Sequence, residues 1–138
     1  MSNAVGRTGR SYHGADFRRL VGCEAASFRL RRLTLPDGEV DSEVLAVAFE
    51  DRDGEVAEVR GAADGVRLVL VPSTWGEVDM DGLGQITEHP LNRKGRIAGV
   101  RHILGTRSTE LILRFASEPS WSILNQADRL SFREVMPE

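Results

Sequence analysis

RIAGVRHILGTRSTELILRFASEPSWSILNQADRLSFRE, residues 96–134, is the clearest strand-turn-strand text in the chain. Leu111, Leu113 and Phe115 alternate with Glu110, Ile112 and Arg114. A strand has a side-chain period of two, so those three apolar residues share one face. Ser117-Glu118-Pro119-Ser120 is a turn, with a proline that cannot donate to a ladder. Trp121 and Ile123 then alternate with serines, and Asn125-Gln126-Ala127-Asp128 marks a second break. Leu130 and Phe132 alternate with Arg129, Ser131 and Arg133. Three strands joined by short turns read as an antiparallel meander. Ahead of them, Arg96 to Leu104 fits a strand face of Val100, His102 and Leu104, or a helix face of Ile97, Val100 and Leu104. Gly95, Gly99 and Gly105 favour the strand, since an interior glycine costs a helix roughly 1 kcal/mol.

The same grammar extends upstream. Residues 1–14 are polar, glycine-rich and without period, which predicts a disordered tail ahead of a single domain over 15–138. Asp16 to Leu20 fits one short helix with Phe17, Leu20 and Val21 on one side. Phe28 to Leu35 predicts a strand whose phase slips by one residue, as a β-bulge near Arg31-Arg32 would allow. Glu43 to Phe49 is apolar on both faces and predicts a central, doubly covered strand. Asp51-Arg52-Asp53-Gly54 turns into a strand over 55–60, and Val66 to Val71 is a further strand ended by Pro72. Glu77 to Asp81 alternates, which predicts Val78 and Met80 inward and Glu77, Asp79 and Asp81 outward, with Leu83 to Thr87 as an extension. His89-Pro90 to Lys94 reads as a polar loop.

Two halves of the chain echo each other. Phe49 and Phe115 each precede a polar turn and a strand, and Asp64 and Asp128 each sit in the turn that follows. Gly22 and Gly95 each precede a basic-apolar strand. The expectation is a mostly β, single-domain antiparallel β-sandwich or flattened barrel of about eight strands, built from two related four-strand units, with one short N-terminal helix.

Composition narrows the function. No apolar run is long enough to span a membrane and no secretory signal opens the chain, so the expectation is no membrane association and a cytoplasmic location. Cys23 is alone, which removes an internal disulfide framework and a cysteine-based zinc site. Arginine outnumbers lysine 17 to 1, a bias of GC-rich coding. Net charge is −3, unevenly spread: residues 1–35 carry +5, residues 36–90 carry −11 and residues 91–138 carry +3. That balance argues against a nucleic-acid binder, which shows a net basic stripe.

No catalytic motif is present: no G-x-S-x-G, no H-E-x-x-H and no cysteine with an arguable partner. His13, His89 and His102 are too scattered for a metal site, and Cys23 reads as a small buried apolar residue. Asp79-Met-Asp-Gly-Leu-Gly-Gln-Ile86 resembles a calcium loop at four positions, but Leu83 offers no side-chain oxygen and Pro90 stands where a bidentate glutamate belongs. No catalytic residue, metal or cofactor is therefore assigned. Trp75 and Trp121 read as core rather than as interface anchors.

Three functions remain. The first is a non-enzymatic protein-binding module, in which Glu77, Asp79 and Asp81, with the turn acids Asp51 and Asp53, meet a basic protein partner. The second is a small-molecule carrier or enzyme with a cavity inside a barrel, for which His102 and Gln85 are the inward polar candidates. The third is a structural homo-oligomer joined through an exposed edge strand. The run of a glycine, a basic-apolar strand, E-L-I-L-R-F at 110–115 and an apolar hairpin, over residues 90–134, resembles small all-β proteins of high-GC bacteria. Some of those are grouped with immunity proteins of toxin systems. The resemblance implies an immunity-like or adaptor role and assigns no functional residue.

Overall fold

The computed structural model describes residues 16–117 and 119–136, so the tail expected over 1–14 lies outside it. The described chain is mostly β and forms ten strands, not eight, in two antiparallel sheets. They are β1 (Arg29–Thr34), β2 (Ala46–Glu50), β3 (Val56–Gly61), β4 (Leu68–Pro72), β5 (Val78–Asp79), β6 (Gln85–Pro90), β7 (Gly99–Leu104), β8 (Ser108–Arg114), β9 (Ser120–Gln126) and β10 (Arg129–Val135). One sheet runs β4-β3-β2-β1-β6-β5 and the other β10-β9-β8-β7. The second sheet is the meander expected from residues 96–134. Its alternation does what the sequence requires: Leu111, Leu113, Trp121 and Ile123 are buried.

The expected N-terminal helix is a correction. Phe17–Leu20 is a four-residue 3-10 turn, and no α-helix occurs among the described residues. Asp16 makes no side-chain cap for it. One turn that starts without a cap cannot recover its nucleation cost. It docks instead, with Phe17 edge-on to His102 at 4.8 Å.

Both sheets contain a four-stranded meander, β1–β4 and β7–β10, in the same order. The echoing residues fall at matching places. Phe49 is the last residue but one of the second strand of one meander, and Phe115 directly follows the second strand of the other. The β3–β4 and β9–β10 turns touch, the Asp128 amide donating to Gly65 O at 2.9 Å. Segments ahead of the first strands also pair, Gly22 N–H donating to Ile97 O and Ile97 N–H to Cys23 O. The β5–β6 hairpin has no counterpart in the second meander.

One interior cluster draws on both meanders. Phe28 and Phe49 stack at 4.9 Å, and Trp121 lies 5.4 Å from Phe28 and 5.5 Å from Phe132. No residue of β5 or β6 belongs to this cluster. β2 is covered on two sides, as expected: Val47 and Phe49 face the cluster, and Ala46 and Ala48 are buried on the other face.

The bulge expected near Arg31-Arg32 is not in β1, whose register with β6 is unbroken from Arg29↔Pro90 to Thr34↔Gln85. The irregularity lies across from it. Arg31 pairs with Ala46, but Thr34 pairs with Val40, so the returning chain carries three extra residues. That excursion lets Val44 bridge to Leu130 of the other sheet.

Candidate functional site

The β5–β6 hairpin forms the far end of the six-stranded sheet, and among the described residues no strand pairs with the outer side of β5. Its turn centres on Asp81 and Gly82, both at positive φ (52° and 87°), which is the geometry of a tight two-residue hairpin loop. Gly84 follows at φ 123°, packed so closely that a Cβ would come within 2.1 Å of Thr34 O. Only glycine permits that approach. The hairpin is thus pressed against the end of β1.

Glu77, Asp79 and Asp81 are exposed, as expected. Val78 and Met80, expected inward, are not: Val78 is 51% exposed and Met80 also faces water. The alternation is real, but the core does not reach this strand. Val78 lies in register with Ile86, and Ile86 with Leu33, on the sheet face turned away from Leu30 and the core. Leu83 at the tip is 66% exposed. The hairpin around the two-residue β5 therefore exposes three carboxylates, Glu77, Asp79 and Asp81, and three apolar side chains, Val78, Met80 and Leu83. The segment 83–87 does not extend β5 but turns back as β6, and His89 and Pro90 belong to that strand rather than to a loop.

Asp51 and Asp53 are not part of this surface, because β6 and β1 lie between the β2–β3 turn and β5. Asp51 is only 9% exposed. Its Oδ1 accepts from the Asp53 amide at 2.9 Å and the Glu55 amide at 3.0 Å, which holds the turn together. A polar cleft of about 290 Å³ lies beside it, lined in part by Cys23, Ser27, Arg52 and Arg96. Burial, then the Asp51 carboxylate, pushes the Cys23 thiol up to about 11. Such a thiol holds its proton and is not a nucleophile at neutral pH.

The inward polar candidates do not share an interior cavity: Gln85 lines an open surface hollow of about 320 Å³ with Thr34, Pro36 and Asp79. Gln85 is exposed, since no second sheet lies beneath it. His102 faces the core side of β7 against Phe17, its buried Nε2 without a hydrogen-bond partner among the described residues, and burial lowers its pKa. Trp121 is core, as expected. Among the described residues no three His, Cys, Asp or Glu side chains gather as metal ligands would. No helix is long and apolar enough to cross a membrane.

Sequence reasoning missed a charged network on the outer face of the same sheet. Arg31 is 12% exposed and donates to Glu58 Oε1 at 2.7 Å, Glu88 Oε2 at 3.0 Å, Ser73 Oγ at 2.8 Å and Thr74 O. Ser73 Oγ in turn donates to Glu58 Oε1 at 2.8 Å. Arg29 pairs with Glu88 at 3.1 Å and lies over the Trp75 ring at 4.3 Å. The Gly76 amide completes the set on Glu88 Oε2 at 3.1 Å. Residues 73–76 thereby cross the sheet face as a strap leading into β5. The alternation of Arg29 and Arg31 with Leu30 was a readable signal, because it puts both arginines on the face away from the core. Their carboxylate partners were not readable, since Glu88 is 57 residues from Arg31.

Comparison of the chain with family models, with curated proteins and with solved structures finds no match. The functional reading therefore rests on this geometry.

Proposed function

We propose that this chain is a non-enzymatic, cytoplasmic protein-binding module of immunity-like or adaptor type. In this reading residues 15–138 form a single β-sandwich domain of two related four-strand units, and the β5–β6 hairpin is the added element that binds. The observation that carries it is the hairpin edge around β5, which pairs with no further strand among the described residues and where exposed Glu77, Asp79 and the turn acid Asp81 stand beside water-facing Val78 and Met80. Natural edge strands are blunted by charge to prevent promiscuous pairing. Here the charge is all of one sign and is interleaved with apolar side chains, which selects a partner instead. An extended segment adding to β5 would gain main-chain hydrogen bonds. Basic side chains would supply specificity, and apolar ones would cover Val78, Met80 and Leu83.

The homo-oligomer reading fares worse at this edge. Two copies of β5 paired with each other would set carboxylates against carboxylates, which destabilises a strand pair. The small-molecule reading asked for a cavity in the interior, and there aromatic rings fill the space between the meanders.

The test is fluorescence anisotropy with a short labelled peptide of alternating Arg and Val, titrated with the full chain. Wild type is expected to bind it and to bind a version with Ser in place of Val more weakly. The variant Glu77→Lys/Asp79→Lys is expected to lose at least about tenfold in affinity, the scale of close charge pairs. Equal binding by that variant would remove the proposal.

A further inference from the structure

The outer face of the four-stranded sheet is a second surface of opposite character. Leu111, Leu113, Trp121 and Ile123 point to the core, so Glu110, Ile112, Arg114, Ser122 and Leu124 point away from it. Cross-strand register sets Arg101, Ile112, Ser122 and Arg133 in one row. Ile103, Glu110, Leu124 and Ser131 form the next. Arg114 and Arg129 stand on the same face, which thus holds four arginines and one acid.

That acid is already engaged. Glu110 Oε2 accepts from Ser122 Oγ at 2.5 Å and lies 3.9 Å from Arg133 Nη2. Arg101, Arg114 and Arg129 are exposed and make no ion pair with any described residue. The Arg114 guanidinium lies across β7, where a Cβ on Gly99 would come within 2.9 Å of Nη2. Between the arginines stand three apolar side chains, Ile103 and Leu124 flanking Glu110 in one row and Ile112 beside it in the other, with Ile103 at 38% exposure.

We infer that this face docks an acidic protein segment bearing apolar anchors. Charge complementarity sets the sign: three unpaired guanidiniums ask for carboxylates, which they bind in a planar, two-pronged fashion. The apolar trio sets the class. It asks for apolar atoms that a phosphate backbone does not offer. The face also lacks any aromatic ring on which bases could stack, and a chain of net charge −3 exerts no long-range pull on nucleic acid. The chain thus has two oppositely charged docking surfaces, one on a strand edge and one on a sheet face.

The full chain is titrated by anisotropy against a short labelled peptide of interleaved Glu and Leu, against its Leu-to-Ser version, and against oligothymidine. The first is expected to bind at near-physiological salt, and the other two at least about tenfold more weakly. Arg101→Glu/Arg114→Glu is expected to weaken the first by at least about tenfold, with Arg129→Glu as an independent second reversal. Asp79→Lys, on the other surface, is expected not to weaken it, which separates this inference from the β5 proposal. All four residues are exposed, and an unchanged far-ultraviolet circular dichroism spectrum confirms folding. Equal affinity for oligothymidine would make the face a nucleic-acid surface and overturn the inference, as would indifference to both reversals. Concentration-dependent self-association abolished by the reversals would put a second copy of the chain there and overturn it as well.

Discussion

Asp64 shows how a single exposed residue fixes a turn. Its Oδ1 accepts from the Val66 and Arg67 amides, both at 2.9 Å, and its Oδ2 from Arg67 Nε at 2.7 Å. Those bonds, the Arg67 amide first, lower its pKa from the ordinary 3.8 to about 2. A carboxylate depressed by folding contributes stability that is fully present above the unfolded value and is lost as pH falls through the folded one. The window is therefore from about pH 4 down to about pH 2. Asp64→Asn is expected to flatten the loss of stability across that window, measured by urea unfolding at several pH values. Ala127 is the opposite case. It heads the β9–β10 turn at φ 53°, followed by Asp128 at 62°. Such loops favour Asn-Gly, and alanine there carries left-handed strain. Ala127→Asn is expected to raise stability by about 0.5–1 kcal/mol, read from the same urea curves.

At the scale of elements, the strap and hairpin depend on Arg31. Its two carboxylate partners have side chains only 9–11% exposed. Removing the guanidinium leaves Glu88 to Arg29 and the Gly76 amide, and Glu58 to Ser73 Oγ and the more distant Arg60. Leaving a buried charge wholly uncompensated costs about 3 kcal/mol or more, and the remaining partners hold the loss here to about 1–3 kcal/mol. Arg31→Met is expected to lose roughly that amount, and to shift Trp75 fluorescence toward that of a more exposed indole as residues 73–76 release. Strands were legible wherever an alternating face met the core, as at Leu111, Leu113 and Trp121. They were misread where it did not. Val78 and Met80 alternate as cleanly as Leu111 and Leu113, but whether an apolar face is buried depends on what lies beneath it, and nothing in the local text says where the opposite sheet ends. The slip at Arg31-Arg32 was placed in the wrong strand for a related reason. The sequence shows a change of phase but not which partner absorbs the extra residues.

At the scale of the molecule, the uneven charge along the chain becomes an arrangement in space. The acids of residues 77–81 stand on one edge, and the basic C-terminal third places Arg101, Arg114, Arg129 and Arg133 on the outer face of the other sheet. The acidic surface was legible residue by residue at Glu77, Asp79 and Asp81. Asp51 was not separable from them, because an acid that caps its own turn and an acid that faces a partner look alike in a sequence. The mostly β character was legible throughout, and the β5–β6 hairpin that widens one sheet to six strands was not. Whether β5 binds is tested most directly by hydrogen–deuterium exchange on the full chain with and without the Arg-Val peptide. Slower exchange is expected at the amides of residues 77–83, with those of β8 and β9 unchanged. Unaltered exchange at 77–83, or protection confined to the four-stranded sheet, would contradict the account.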